Sequence, residues 1–190
     1  MTLRSMKLCA ALGLALAATP VIALVPASAV TAVMVGGAPM YPTKNIVENA
    51  INSKDHTTLV AAVKAAGLVN TLEQPGPFTV FAPVNAAFAK LPKGTVETLL
   101  KPENKSMLVK VLTYHVVPGR LSAMDLKADV EAGGGRAILK TVEGGTLTVT
   151  QVGRRLEIID AKGDRSMVTI PDVNQSNGVI HVVDTVLLPQ

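Results

Sequence analysis

The sequence predicts an α+β domain, with helices in its first half and strands in its second. Apolar residues recur at helical spacing over residues 46–51 and again over residues 57–66. After Pro118-Gly119 the pattern changes, and apolar and polar residues alternate over residues 146–152. Helices first and strands later, without regular alternation of the two, indicate a segregated α+β fold and not a series of βαβ units.

The helical half is divided by residues that break helices. The second helix takes Thr57 or Asp55 as its N-cap and ends at Gly67, which suits a left-handed C-cap. Residues 78–82 are apolar on both faces and bounded by prolines, which is typical of a buried central strand. We then expect a short helix capped by Asn85, followed by helices over residues 95–100 and 102–113.

The strand half begins with a predicted β-hairpin. Residues 146–152 and 156–160 are its two strands, and Gly153-Arg154 makes the tight turn between them. A third strand is expected over residues 167–170. A fourth runs over residues 178–184 and continues to residue 188.

The first thirty residues predict export. Arg4 and Lys7 precede an apolar stretch over residues 8–24, and residues 27–29 supply the small side chains that a signal peptidase accepts. We therefore expect a signal peptide over residues 1–29, cleaved after the last of them. The alternative is a retained membrane anchor, since the apolar stretch is just long enough to span a bilayer. Two prolines interrupt its second half and favour cleavage.

The exported part divides into a linker and one domain. Residues 30–44 are interpreted as a linker, because they contain Gly36-Gly37 and two prolines and show no sustained periodicity. The folded domain is expected over residues 45–190. The cleaved chain is expected to be periplasmic or extracellular, to be a monomer and not to span a membrane.

Composition narrows the classes of partner and scaffold. The single cysteine, Cys9, lies in the signal peptide, so we expect no disulfide in the exported protein. Without Arg4 and Lys7, the 18 basic residues become 16 against 14 acidic ones, a net charge of +2. The basic residues are scattered and not interleaved with aromatic ones, so nucleic acid is not an expected partner.

Motifs for catalysis and metal binding are absent from the sequence. No serine lies in a G-x-S-x-G elbow, no thiol remains after cleavage, and no two histidines have ligand spacing. We therefore expect no catalytic, cofactor or metal site. Of the three histidines, His56 is expected near solvent and His115 and His181 in or near the core. The alternative for the latter two is a catalytic or ligand role.

Four segments of the chain resemble one known family. FTVFAPVNAAF at residues 78–88 and NGVIHVVDTVLLP at residues 177–189 are similar to the two signatures of the fasciclin (FAS1) domain. LTYHVVPG at residues 112–119 resembles its central Tyr-His motif, and residues 57–72 resemble the approach to the first signature. The resemblance spans about residues 45–190 and is typical of single-domain, secreted bacterial members.

The family resemblance implies a β-wedge or sandwich of about seven strands with helices packed alongside, and secreted adhesion proteins without enzyme activity or cofactor. It points to Tyr114 and His115 as partner-binding residues, and to the loop containing Asp172, Val173 and Asn177. Val173 departs from the family pattern, in which isoleucine is usual. The alternative is that Tyr114 and His115 hold the fold, since both lie in an apolar run.

Three functions follow in order of expectation. The first is a non-catalytic adhesion module that binds a cell-surface or extracellular-matrix protein or glycan. The second is a periplasmic or secreted module that binds a small ligand such as a glycan or lipid. The third is an uncharacterised hydrolase. Five aromatic residues and no tryptophan argue against sugar stacking in the second.

Overall fold

The computed structural model describes residues 31–190. The predicted signal peptide, its cleavage site and the alternative membrane anchor lie outside these residues. Helices of the described chain are α1 Ile46–Ala50, α2 Thr57–Ala66, α3 Val69–Leu72, α4 Asn85–Ala89, α5 Thr95–Leu99, α6 Lys105–Tyr114 and α7 Ala123–Ala132, with 3-10 turns at Lys54–His56 and Pro102–Asn104. Strands are β1 Val33–Val35, β2 Ala38–Met40, β3 Phe78–Pro83, β4 Val116–Pro118, β5 Arg136–Lys140, β6 Thr146–Val152, β7 Arg155–Ile159, β8 Arg165–Gln175 and β9 Gly178–Val183.

Seven of the strands form one sheet in the order β4-β3-β9-β8-β7-β6-β5. Strands β3 and β9 pair in parallel, and the other neighbours pair antiparallel. The two ends of the sheet approach each other, because the N–H of Val142, after β5, donates to the carbonyl of Val116 in β4 at 2.8 Å. The sheet is therefore almost a barrel, and the seven helices of residues 31–190 all precede β5. The predicted fold class is confirmed.

The central pair β3 and β9 separates two apolar clusters. Val80 and Ile180 face the cluster formed with the helices, whereas Phe81 and Val183 face the cluster inside the curved sheet. Successive side chains of a strand point to opposite faces, so a strand between two clusters is buried on both faces. All six residues of β9 are buried, and the prediction of a buried central strand at residues 78–82 is confirmed.

Part of the predicted linker is structured. Strands β1 and β2 form a hairpin across Gly36-Gly37, whose φ angles of 58° and 73° favour glycine. Val35 and Met40 are each 1% exposed and belong to the cluster on the helical side. The linker prediction is wrong for residues 33–40, because three-residue strands show too little alternation for a pattern and their stability comes from the core beneath them.

Two local predictions are corrected by long-range contacts. Neither Thr57 nor Asp55 caps α2: the Asn85 side chain does, with Oδ1 accepting from Thr58 N at 3.0 Å and from the Thr57 hydroxyl at 3.2 Å. The prediction that Asn85 caps the short helix α4 is wrong, because Asn85 is the first residue of that helix. The predicted C-cap of α2 is confirmed, since Gly67 has φ 74°.

The last strand is shorter than predicted. It ends at Val183, where the Asp184 carboxylate accepts from Met167 N at 2.9 Å and the Ser166 hydroxyl accepts from Thr185 N at 3.0 Å. One backbone bond, from Asp184 N to the Met167 carbonyl at 3.2 Å, accompanies these side-chain bonds, and residues 185–188 leave the sheet.

Candidate functional site

Tyr114, the last residue of α6, lies wholly inside the molecule. Its side chain is 0% exposed, and its hydroxyl donates to the Thr146 carbonyl at 2.7 Å while accepting from Ala161 N at 2.9 Å. Burial raises the pKa of the phenol, so it stays protonated. The hydroxyl therefore joins α6 to β6 and to the turn after β7.

His115 is fixed by two backbone groups. Its Nε2 accepts from Leu187 N at 3.0 Å, which leaves the proton on Nδ1, and Nδ1 donates to the Val111 carbonyl at 2.8 Å. Burial lowers the pKa of the imidazole to about 4, so it is neutral at pH 7. The prediction that His115 is a core residue is confirmed.

Asp172 lies in an irregular part of β8, between Ile170 and Val173 in the register with β9. Its φ of 57° is unusual for a residue with a side chain. Its carboxylate accepts from Ala123 N, at the start of α7, at 2.7 Å, and its own N–H donates to His181 Nδ1 at 3.3 Å. Asp172 therefore joins α7 to the sheet.

His181 also occupies the core. Its Nε2 donates to the Leu121 carbonyl at 2.9 Å, and its ring stacks on Phe81 with centroids 5.7 Å apart. Burial lowers the pKa of His181, although the Leu121 carbonyl and the Asp172 charge act in the opposite direction. Its core placement is confirmed, and Val173 beside it in the sheet is 0% exposed.

Asn177 connects three parts of the chain. Its Oδ1 accepts from Ile46 N at 3.1 Å, and its Nδ2 donates to the carbonyls of Leu72 at 2.7 Å and Gln74 at 3.1 Å. The side chain thus holds the β8–β9 turn against the start of α1 and the loop before β3.

The five predicted partner-binding residues do not form one site. Tyr114 and His115 lie under the C-terminal segment, whereas Asp172, Val173 and Asn177 follow one another along β8 and its turn. Tyr114, His115 and Val173 expose 3% or less of their surface, so their side chains offer no contact to a partner of the closed domain. Asp172 is half-buried in β8, and Asn177 adjoins the exposed Ser176 in the β8–β9 turn.

Asn177 belongs to the wall of an open cleft with a mixed polar and apolar lining, which the sequence did not indicate. The cleft has a volume of about 490 Å³. Arg120 forms one side, donating to the Gln175 carbonyl at 2.9 Å and, more weakly, to the Ser176 carbonyl and Asn174 Oδ1 at 3.4 Å. We call this the Arg120 cleft, lined by Asn45, Glu48, Glu73, Pro75, Gly76, Pro77, Arg120, Ser176 and Asn177. A lone exposed arginine shows no sequence pattern, so no local signal marks it.

His56 is placed differently from the prediction. It is 1% exposed, and its Nδ1 lies 2.9 Å from the Ser53 hydroxyl. Its Nε2 has no hydrogen-bond partner within residues 31–190. Burial lowers the pKa of His56, against the opposing effects of Ala82 and Asp55. The β1–β2 turn covers this pair: a Cβ on Gly36 would lie 2.5 Å from the Ser53 hydroxyl.

A second cavity is partly open to solvent and almost wholly apolar. Residues of α1, α2, α3 and α6 line it on one side and β3 on the other, and its volume is about 70 Å³. His115 contributes to its wall. Within residues 31–190 no group of three or more His, Cys, Asp or Glu side chains could hold a metal ion. No helix of the same residues is long and apolar enough to cross a bilayer.

Comparisons with known proteins agree with this architecture. The chain superimposes on a FAS1 domain pair from the insect cell adhesion molecule Fasciclin I with a TM-score of 0.70 and 21% identity, covering 78% of this chain and 52% of that one. Protein sll1483 of Synechocystis is 50% identical over 76% of this chain and 73% of its own length. Immunogenic protein MPT70 of Mycobacterium tuberculosis is 36% identical over 74% of this chain and 66% of its own length.

The length of the chain that matches a family model identifies the family. The family model described as Fasciclin domain matches residues 54–189, which include all four segments in which the resemblance was seen. With the fold, the relatives and the family model in agreement, the chain belongs to the fasciclin domain family.

Proposed function

We propose that this chain is an exported, non-catalytic adhesion module that contacts a cell-surface or extracellular-matrix partner through the rim of the Arg120 cleft. Family membership supports adhesion, and the solved structure with the same fold is described as part of a cell adhesion molecule. The basic and apolar N-terminal residues support export.

The observation that carries the proposal is the immobilised rim of the cleft. The exposed loop at residues 174–176 is held by Arg120 from outside and by Asn177 from beneath. On the opposite wall, Asn45 and Glu48 bond each other's backbone N–H groups at 2.8 Å in the capping box of α1. Loops held in one conformation by a rigid scaffold lose little entropy on binding, and such loops commonly carry function.

The geometry of the histidines supports a non-catalytic role. His115 and His181 each use both ring nitrogens on backbone partners, so neither is free to take a proton from a substrate. Ser53 and His56 form a hydroxyl–imidazole pair, but both are at least 98% buried and lie under the β1–β2 turn. A nucleophile in that position has no route to a substrate.

Attachment of cells tests the proposal. The exported protein is coated on a surface, and binding of cells of the producing organism is measured for the native protein and for Arg120→Ala. The matched control is Lys93→Ala, another exposed cation. We expect about a tenfold loss of attachment for Arg120→Ala, as for an arginine at the centre of an interface, and none for the control. Full attachment by Arg120→Ala, or no attachment by the native protein, contradicts the proposal.

The apolar cavity favours one alternative, binding of a lipid chain. The cavity is smaller than an engineered cavity of about 150 Å³ that holds benzene, so it suits part of an alkyl chain. Thermal unfolding with and without laurate tests this alternative. A rise in Tm that Val63→Phe abolishes supports it, because Val63 lines the cavity. An unchanged Tm excludes laurate and chains like it.

A further inference from the structure

Strands β5 to β8 present exposed cations on their outer surface. Arg136 lies opposite Thr150 and Lys140 opposite Thr146, while Arg155 and Arg165 lie opposite Val152 and Ile159. All four cations are exposed. Residues paired across neighbouring strands point to the same side, so the four share one surface. We call it the cationic sheet face, defined by Arg136, Lys140, Arg155, Arg165 and the threonines of β6 between them.

One carboxylate lies among these cations, and it is already neutralised. Glu157, opposite Thr150, is 7% exposed and accepts from Arg165 at 2.8 Å and from the Thr150 hydroxyl at 3.3 Å. Four cations and one carboxylate give the face a net charge of +3. Residues 31–190 carry 16 basic and 14 acidic side chains, so the rest of them sums to −1. The positive charge of the domain is therefore concentrated here.

The cations lie in two rows with hydroxyl groups between them. Arg136 and Lys140 lie on β5, and Arg155 and Arg165 on β7 and β8, with the threonines of β6 in the middle. Neighbouring strands are about 4.8 Å apart, so β5 and β7, which flank β6, are about 10 Å apart. An extended anionic chain along β6 would meet threonine hydroxyls beneath it and guanidinium or ammonium groups on both sides. Arginine binds carboxylate and sulfate oxygens with two parallel bonds.

The apolar side chains of this face favour a polysaccharide over a lipid surface. Ile138, at 68% exposed, and Val152, at 49%, are its exposed aliphatic residues. The face has none of the tryptophan, phenylalanine or leucine that inserts into the boundary of a bilayer. Recognition by charge needs no aromatic stacking, so the small number of aromatic residues is no obstacle.

We propose that the cationic sheet face binds an acidic polysaccharide, a glycan chain with carboxylate or sulfate groups, running along β6. The inference goes beyond the adhesion proposal, because the face is a second surface. Arg165 is at one end of β8 and the loop of the Arg120 cleft at the other, about nine residues or roughly 30 Å of strand away. The two surfaces suit a protein that bridges a glycan and a second partner.

The test measures Kd for heparin and for polygalacturonate, with neutral dextran as the uncharged control. The variant carries Arg136→Gln, Lys140→Gln and Arg155→Gln, and keeps Arg165 because Glu157 depends on it. The matched control carries Lys93→Gln, Lys101→Gln and Lys105→Gln, with the same loss of charge outside the sheet. We expect about tenfold weaker glycan binding for the first variant, a change below twofold for the control, and weaker native binding at high salt.

Several results would overturn the proposal. They are equal affinity of the triple variant and native protein, an equal loss in the control, binding of dextran as strong as that of heparin, or tighter binding to phosphatidylglycerol vesicles than to either glycan. If the triple variant unfolds, Arg136→Gln alone decides, with about a threefold loss expected. Arg120→Ala is expected to keep glycan binding, so failure of this proposal and failure of the cleft proposal are distinguishable.

Discussion

The N–H of Leu187 donates a hydrogen bond of 3.0 Å to Nε2 of His115, which attaches the C-terminal segment to the end of α6. The neighbouring residue, Tyr114, makes a second attachment through its hydroxyl to Thr146 and Ala161. The Tyr-His pair therefore joins three segments from inside the domain. These bonds explain why the family resemblance includes the Tyr-His pair: the pair holds segments of the fold together. A role of the pair in partner binding stays a prediction.

The neutral His115 makes stability depend on pH. In the unfolded chain its imidazole takes up a proton near pH 6.5, whereas in the folded domain it does so only near pH 4. The unfolded state thus binds more protons between these values, and stability falls as pH drops from 6.5 to 4. Two to three pKa units correspond to about 3 kcal/mol. The lowered pKa values of His56 and His181 act in the same direction.

Thermal unfolding between pH 7.5 and 4 checks this dependence. We expect a falling Tm below pH 6.5 in the native protein and a shallower fall in His115→Asn, whose side chain cannot be protonated. The variant is also less stable at pH 7.5, by about 1–3 kcal/mol, since Leu187 N loses its acceptor. The same slope in both proteins would show that His115 is not the group responsible.

The β1–β2 hairpin offers a matched pair of methionines. Met40 is 1% exposed and packs in the core, whereas Met34 is 59% exposed on the same hairpin. We expect Met40→Ala to lower the free energy of unfolding by about 2–5 kcal/mol and Met34→Ala by less than about 0.5 kcal/mol. Urea denaturation measures both. Equal effects would mean that the hairpin does not contribute to the core.

Asn177 and Asn174 form a second matched pair, in the loop of the Arg120 cleft. Asn177→Ala removes three hydrogen bonds that hold the cleft together, and we expect a loss of about 2–4 kcal/mol. Asn174 is exposed, so its replacement by alanine is expected to change stability by less than about 0.5 kcal/mol. If urea denaturation gives both variants native stability, Asn177 does not hold the cleft.

Features with a local cause were predictable from the sequence. The β6–β7 hairpin follows from alternation around Gly153, and the end of α2 follows from Gly67. The cap of α2 was not predictable, because Asn85 reaches it from 27 residues away in the chain. The burial of His56 depends likewise on the β1–β2 turn that covers it.

The candidate site was the least predictable part of the molecule. Asp172 and Asn177 were identified through the family resemblance, but the polar residues that line the cleft with Asn177 come from three distant segments. Arg120 reaches the cleft because Thr79 and His181 fix the loop before α7, with Thr79 accepting from Leu121 N at 2.9 Å. Side chains that come together only through the folding of the sheet show no recognisable spacing in the sequence.

The central claim is that adhesion depends on the Arg120 cleft and that Tyr114 and His115 maintain the fold. Cell attachment and Tm are measured side by side for Arg120→Ala and Tyr114→Phe, at a temperature where both are folded. We expect Arg120→Ala to lose attachment about tenfold, with a smaller fall in Tm than Tyr114→Phe, because the Arg120 side chain that bonds the loop is exposed. We expect Tyr114→Phe to keep attachment with a lower Tm, since two partly buried hydrogen bonds are lost. Loss of attachment by Tyr114→Phe at an unchanged Tm, with full attachment by Arg120→Ala, would contradict the account.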